Sequence, residues 1–253
     1  MLRKKIIMSE YLNDLELFWN DFAEEYEAIQ QESPFPIAED LRDFLLAEKI
    51  LPCQTFLDLA GGSGRYLSTF QEYVKAYDLL DISQEMLKLA AEKADTNVQF
   101  INQAQEVFLN RKKQSYDLVF SAMNPALQTK TDLLDFCQAS KDWCLLLRVV
   151  KDEDQLFSSY EEKNPDLLLN ERCKTFLDEM QISYRTKRFS YTKHEEFSRE
   201  FFQEYFAEDF SLTELAEITE KAFGESQQKS NQQFLDFELI YFHVPKTYNE
   251  NGS

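Results

Sequence analysis

The sequence predicts an α/β protein with a mostly parallel sheet and helices on both faces. Three observations carry that expectation. The run Thr55-Phe56-Leu57-Asp58-Leu59 breaks at once into Ala60-Gly61-Gly62-Ser63-Gly64, which holds three of the chain's five glycines. Glycine serves where a backbone takes positive φ or closely approaches a ligand. The next apolar run ends in an acid, Asp81, before Ile82 and Ser83. Strand and helix patterns then alternate to about residue 150, the mark of βαβ units.

In chain order, residues 9–31 read as an amphipathic helix, with Leu12, Leu15, Leu17, Phe18, Phe22 and Tyr26 near helical spacing. Pro34 and Pro36 end it, and residues 38–48 form a second helix that stops before Pro52. The first strand spans 54–60, with its helix near 64–73. The second spans 74–80; Ser83 caps the helix that follows at 84–94, and Glu85 suits its first turn. Further strands are expected at 98–102, 116–122 and 143–150, with a helix near 128–141. Residues 151–180 read as charged and mostly helical, 182–191 as a sixth strand, 193–225 as helical, and 234–244 as the last strand. The stripe Phe197, Phe201, Phe202, Tyr205, Phe206 reads as core packing.

The chain has 253 residues, 43% of them hydrophobic, enough for one large core. The expectation is a single domain over 1–253, with an N-terminal helical cover at 9–50, a binding core at 54–150 and a helical insertion at 193–225. The 22 Phe and 12 Tyr predict a ring-rich core. A net charge of −19 argues against a nucleic-acid partner, whose phosphates need Lys and Arg, and against anionic membrane; it favours solubility. Cys53, Cys137, Cys144 and Cys173 form no C-x-x-C pair, and with only His194 and His243 no metal site is expected. Reduced thiols in a cytoplasmic protein are the expectation. Residues 1–8 lack the apolar core of a signal peptide, no run approaches the length of a membrane span, and the polar end 249–253 is expected to fray.

Spacing narrows the ligand. A dinucleotide fingerprint needs a third glycine where Leu67 stands, and a P-loop needs a lysine that is absent. What remains, Asp58-Leu59-Ala60-Gly61-Gly62-Ser63-Gly64, resembles motif I of the class I S-adenosylmethionine-dependent methyltransferases, with Ala60 in place of the usual first glycine. Asp81-Ile82-Ser83-Gln84-Glu85-Met86-Leu87 resembles the family's next segment.

The resemblance implies a Rossmann-like seven-stranded sheet with an antiparallel last strand, N-terminal helices and a helical insertion before that strand. It implies S-adenosylmethionine as cofactor and methyl transfer to a small-molecule acceptor. It assigns the cofactor to Asp58, Ala60, Gly61, Gly62, Gly64, Asp81 and Ile82, with Asp81 on the ribose hydroxyls. Gln103 stands where family members carry an acid for the adenine amino group. Ser121 and Asn124 fall in the segment beside the transferred methyl; Asn124-Pro125 is equally a turn starter. Trp19 and Tyr26 offer rings near the sulfonium or pack the helix onto the sheet. No catalytic acid or base stands out: His194 opens the helical insertion and His243 suits an edge role. Two rival readings are a cofactor-binding module without transfer activity and an NAD-dependent oxidoreductase, the latter disfavoured by Leu67.

Overall fold

The computed structural model describes residues 2–244, with side chains from residue 11 onward. The tail expected to fray, 249–253, lies outside the described residues. Helices α1 (Leu2–Glu32) and α2 (Ile37–Ala47) precede strand β1 (Cys53–Leu59). Then follow α3 (Leu67–Phe70), a 3-10 turn (Gln71–Tyr73), β2 (Val74–Asp81), α4 (Gln84–Ala91), β3 (Val98–Asn102), α5 (Gln105–Leu109), β4 (Tyr116–Ala122), α6 (Lys130–Ala139) and β5 (Ser140–Asp154). The chain continues through α7 (Leu169–Glu179), β6 (Arg185–Ser198), α8 (Arg199–Tyr205), α9 (Leu212–Phe223) and β7 (Gln228–His243).

The sheet has seven strands in the order β3-β2-β1-β4-β5-β7-β6. β1 pairs in parallel with β2 and β4, β2 with β3, and β4 with β5. β7 runs antiparallel to β5: Val244 N–H donates to Asp142 O, and Gln155 N–H to Gln232 O. A parallel strand between two partners is covered on both faces, so it reads as a continuous apolar run; Phe56, Leu57 and Leu59 of β1 are all fully buried. Rings fill one cluster: Phe56 lies 4.6 Å from Tyr77, and Tyr66 lies 5.0 Å from Phe120. The four cysteines are free thiols.

Two compact units divide the chain. The first takes residues up to Arg148, Leu169–Lys187 and the segment from Glu238. The second takes Val149–Leu168 and Arg188–Phe237, and centres on Phe157, Phe202, Phe206, Leu215 and Phe223. Phe202 and Phe206 of the aromatic stripe are buried there, whereas Phe201 and Tyr205 are exposed.

Two expected boundaries are corrected and one helix is added. Residues 151–154 continue β5 rather than start a helix, because Asp152 and Gln155 find partners in Gln233 and Gln232. Residues 193–198 belong to β6; the helix begins only after Ser198, whose hydroxyl accepts from Phe201 N–H. α5 was not expected at all. Other signals hold: Ser83 caps α4, accepting from Met86 N–H. No helix among the described residues is long and apolar enough to cross a membrane.

Candidate functional site

Two adjoining cavities open where β1 and β2 end, both within the first unit. The larger encloses about 690 Å³ of space open to solvent, lined by Trp19, Tyr26, Ala60, Gly62, Asp81 and Ile82 among others. The smaller, about 340 Å³, is lined by Tyr26, Gln30, Asp58, Gly61, Gly62, Arg65 and Tyr66.

The turn after β1 is shaped by left-handed residues. Ala60, Gly62 and Gly64 have φ of 56°, 56° and 79°. Ala60 holds this conformation with a Cβ, at a cost on the order of 1 kcal/mol against glycine. A Cβ on Gly61 would stand 2.7 Å from Leu79 Cγ, and one on Gly64 3.1 Å from Ala90 Cβ. Those two glycines serve close packing. Gly62 differs: its nearest neighbours would be Tyr26 Cε1 at 3.9 Å and Met86 Sδ at 4.0 Å, so its empty side faces the cavity.

Asp81 joins the turn to β2. Its Oδ2 accepts Gly62 N–H at 2.9 Å and its Oδ1 accepts Ser83 N–H at 2.8 Å. Each oxygen keeps a lone pair for a ligand hydroxyl. Burial raises its pKa, and the Ser83 and Gly62 amides oppose that rise. Asp58, 1% exposed, sits below the turn. Burial lifts its carboxyl to about 7, against a Tyr77 hydroxyl that donates to Oδ2 at 2.8 Å. Tyr66 Oη and Gln30 Oε1 are buried without a hydrogen-bond partner among the described residues; both residues line the smaller cavity.

α1 closes the opposite side. Asn20 Oδ1 accepts Ser83 Oγ–H at 2.8 Å and Glu85 N–H at 3.2 Å. Glu27 pairs with Lys93 at 2.6 Å, and Lys93 Nζ donates to Ser63 O at 2.9 Å. Burial works to raise the Glu27 pKa, but Lys93 and Gln31 hold it below the usual range.

Of the residues singled out from sequence, Asp58, Ala60, Gly61, Gly62, Asp81, Ile82, Asn124, Trp19 and Tyr26 line one cavity or both. Gly64, Gln103 and Ser121 line neither. Gln103 N–H donates to Asp81 O, and its neighbours Gln105 and Glu106 take the wall. Ser121 stands behind the wall, its hydroxyl donating to Leu59 O at 2.8 Å. The Asn124 amide donates to Gln105 Oε1 and Ser121 Oγ, and its Oδ1 accepts Ala126 N–H in a local turn. Neither histidine reaches the cavities; His243 bonds Asp142 at 2.6 Å and lies against Trp143.

Sequence reasoning missed Tyr77, Arg65, Tyr66, Gln105, Glu106 and Arg148. Arg148, 3% exposed, donates to Asn124 O and Leu127 O, both at 3.1 Å, and so fixes the loop after β4. A lone arginine inside Leu145-Leu146-Leu147-Arg148-Val149-Val150 was the available signal, since a buried guanidinium must find acceptors. Among the described residues no cluster of His, Cys, Asp and Glu is suited to a metal.

Residues 56–144 match the family model described as a methyltransferase domain. No curated protein matches the chain by sequence. Among solved structures, the chain is similar to magnesium protoporphyrin IX methyltransferase from Synechocystis PCC 6803 with bound S-adenosylhomocysteine: 13% identity over 90% of this chain and 98% of that one, TM-score 0.52. The same enzyme with bound S-adenosylmethionine gives 12% identity, 90% and 96% coverage, and a TM-score of 0.50. At such identities the likeness is one of fold.

Proposed function

We propose that this chain, whose residues 56–144 match a methyltransferase domain, is a class I enzyme that uses S-adenosylmethionine to methylate a small-molecule acceptor. The observation that carries the reading is the Asp81 carboxylate on the wall of the larger cavity, bonded to the amide of Gly62, the one turn glycine whose open side faces that cavity.

The residues suit the cofactor in three places. Asp81 offers its remaining lone pairs to the ribose hydroxyls, beside Ile82, Ala104 and Gln105 as an adenine wall. The smaller cavity sets Asp58 against a ligand ammonium, Arg65 against a carboxylate, and the unpartnered Tyr66 hydroxyl and Gln30 carbonyl beside both. Gly62 leaves room for the chain between them. When bound, S-adenosylmethionine supplies a methyl group on a cationic sulfur, already activated for displacement. The protein then has to position the acceptor and exclude water, and needs no strong base. α1 performs the exclusion with Trp19 and Tyr26, and the loop fixed by Arg148 forms the facing wall.

The whole chain acts as one enzyme in this reading, with residues 54–150 as cofactor core and 9–50 as the cover that tunes acceptor choice. Function varies most in segments grafted onto a shared scaffold. Isothermal calorimetry tests the cofactor reading: S-adenosylmethionine and S-adenosylhomocysteine bind, and NAD does not. Binding of NAD alone would overturn it.

A further inference from the structure

The larger cavity has an uneven chemistry. Leu12, Leu15 and Pro125 make part of its wall apolar, and the rings of Trp19 and Tyr26 meet edge to face at 5.8 Å. Two carboxylates line it, Asp81 and Glu106, and among the described residues no lysine, arginine or histidine does. Both oxygens of Asp81 already accept backbone N–H groups. The half-buried Glu106 carboxylate has no hydrogen-bond or ion-pair partner among the described residues. Arg65 lines the smaller cavity instead, and the buried Arg148 behind the wall is committed to Asn124 O and Leu127 O.

We propose that the methyl acceptor is an amine on an apolar skeleton, held by the Glu106 carboxylate and the Trp19 and Tyr26 rings. This rests on the methyltransferase reading above and goes beyond it by naming the acceptor class. An acceptor carrying a phosphate or carboxylate would be desolvated beside the Glu106 carboxylate, with no lysine, arginine or histidine among the described lining residues to offset it, which is costly. An ammonium gains both from the unpaired carboxylate and from the ring faces. Before reaction the ammonium gives one proton to water. The freed nitrogen lone pair then forms the new N–CH3 bond as the C–S bond breaks; that bond's electron pair stays on sulfur, which becomes a neutral thioether, and the positive charge passes to the methylated nitrogen.

The test uses the full chain saturated with S-adenosylhomocysteine, probed by ligand-observed NMR with two matched ligands, 2-phenylethylamine and 3-phenylpropanoate. The amine binds at millimolar concentration or below, roughly tenfold tighter than the carboxylate. Glu106→Gln narrows that ratio, and Glu106→Lys reverses it, with S-adenosylhomocysteine still bound in both. Equal or tighter carboxylate binding, no amine binding at millimolar concentration, or a ratio unchanged in Glu106→Gln overturns the amine proposal while leaving the cofactor reading intact. Failure of the parent protein to bind S-adenosylhomocysteine overturns both.

Discussion

The turn after β1 and the helix α1 wall the same pair of cavities by opposite means. The turn works through backbone: left-handed residues at 60, 62 and 64, the Gly62 amide aimed at Asp81, and a buried acid beneath. α1 works through side chains. Trp19 and Tyr26 face inward, while Tyr11, Leu17 and Phe18 are more than half exposed. Asn20 and the Glu27–Lys93 pair tie the helix to α4 and to the turn. A wall of backbone admits few substitutions, because its positive φ values and the amides of Gly61, Gly62 and Gly64 are already committed. A wall of side chains on a tethered helix can change its chemistry residue by residue. The first wall therefore suits an invariant ligand and the second a variable one.

The sharpest way to break that contrast is Gly62→Val. The added side chain fills the cavity rather than the core, and a β-branched residue resists φ of 56°. Calorimetry should detect no S-adenosylhomocysteine binding, and circular dichroism a folded protein. A folded variant with parental affinity would show that the turn does not meet the ligand.

Asp58 tests the same wall through pH. Its pKa is about 7 in the folded protein and near 3.8 when solvated, so between those values the native state holds a proton that the unfolded chain has released. Stability of the ligand-free protein should then fall as pH rises from about 4 to about 7 and level off above, by an amount on the order of a few kcal/mol. Asp81, whose pKa is also raised, adds a slope of the same sign. Asp58→Asn should flatten most of the dependence in urea unfolding followed at pH 5 and pH 8; an unchanged slope would rule out Asp58 as its source.

Asp81→Ala should weaken cofactor binding by about 1.5–3 kcal/mol, the worth of hydrogen bonds to a charged acceptor. It also releases the Gly62 and Ser83 amides, so some loss of melting temperature accompanies it. Unchanged affinity in a folded variant would take Asp81 out of the site.

The two walls were not equally legible in the sequence. β1 and β2 announce themselves because central parallel strands are buried on both faces, and a glycine turn behind an acid has few other uses. Helical spacing on α1 picked out Leu12, Leu15 and Tyr26, which line the larger cavity, but also Leu17 and Phe18, which are exposed, and it passed over Trp19; its tethers were hidden too, because Asn20 and Glu27 look like any polar residues until their partners on α4 and the turn are known. Tyr77 was hidden similarly. Its pairing opposite Phe56 places its hydroxyl within reach of Asp58, and that register is a tertiary fact. The far ends of β5, β6 and β7 misled because their charged residues carry no strand signal of their own; a ladder partner decides them. α5 is five residues long and lacks a side-chain cap, below what periodicity can detect.

The smallest expected effect belongs to the side-chain wall and sharpens the contrast most. Asn20 Oδ1 receives both the Ser83 hydroxyl and the Glu85 amide at the start of α4. Asn20→Ala removes that acceptor and should cost about 1 kcal/mol of stability, the usual worth of such a bond. Ser83 still caps α4 through Met86 N–H, and Asp81 still holds Ser83 N–H and Gly62 N–H, so the backbone wall keeps its own bonds. If the walls are separable as argued, affinity for S-adenosylhomocysteine should change by less than roughly threefold, well under the 1.4 kcal/mol that makes a tenfold difference. Amide hydrogen exchange should quicken along α1 around residues 16–24 and stay unchanged in the turn. A loss of cofactor affinity as large as that of Asp81→Ala would mean that the helix and the turn act as one rigid wall, and that acceptor choice cannot be altered on α1 without disturbing the cofactor site.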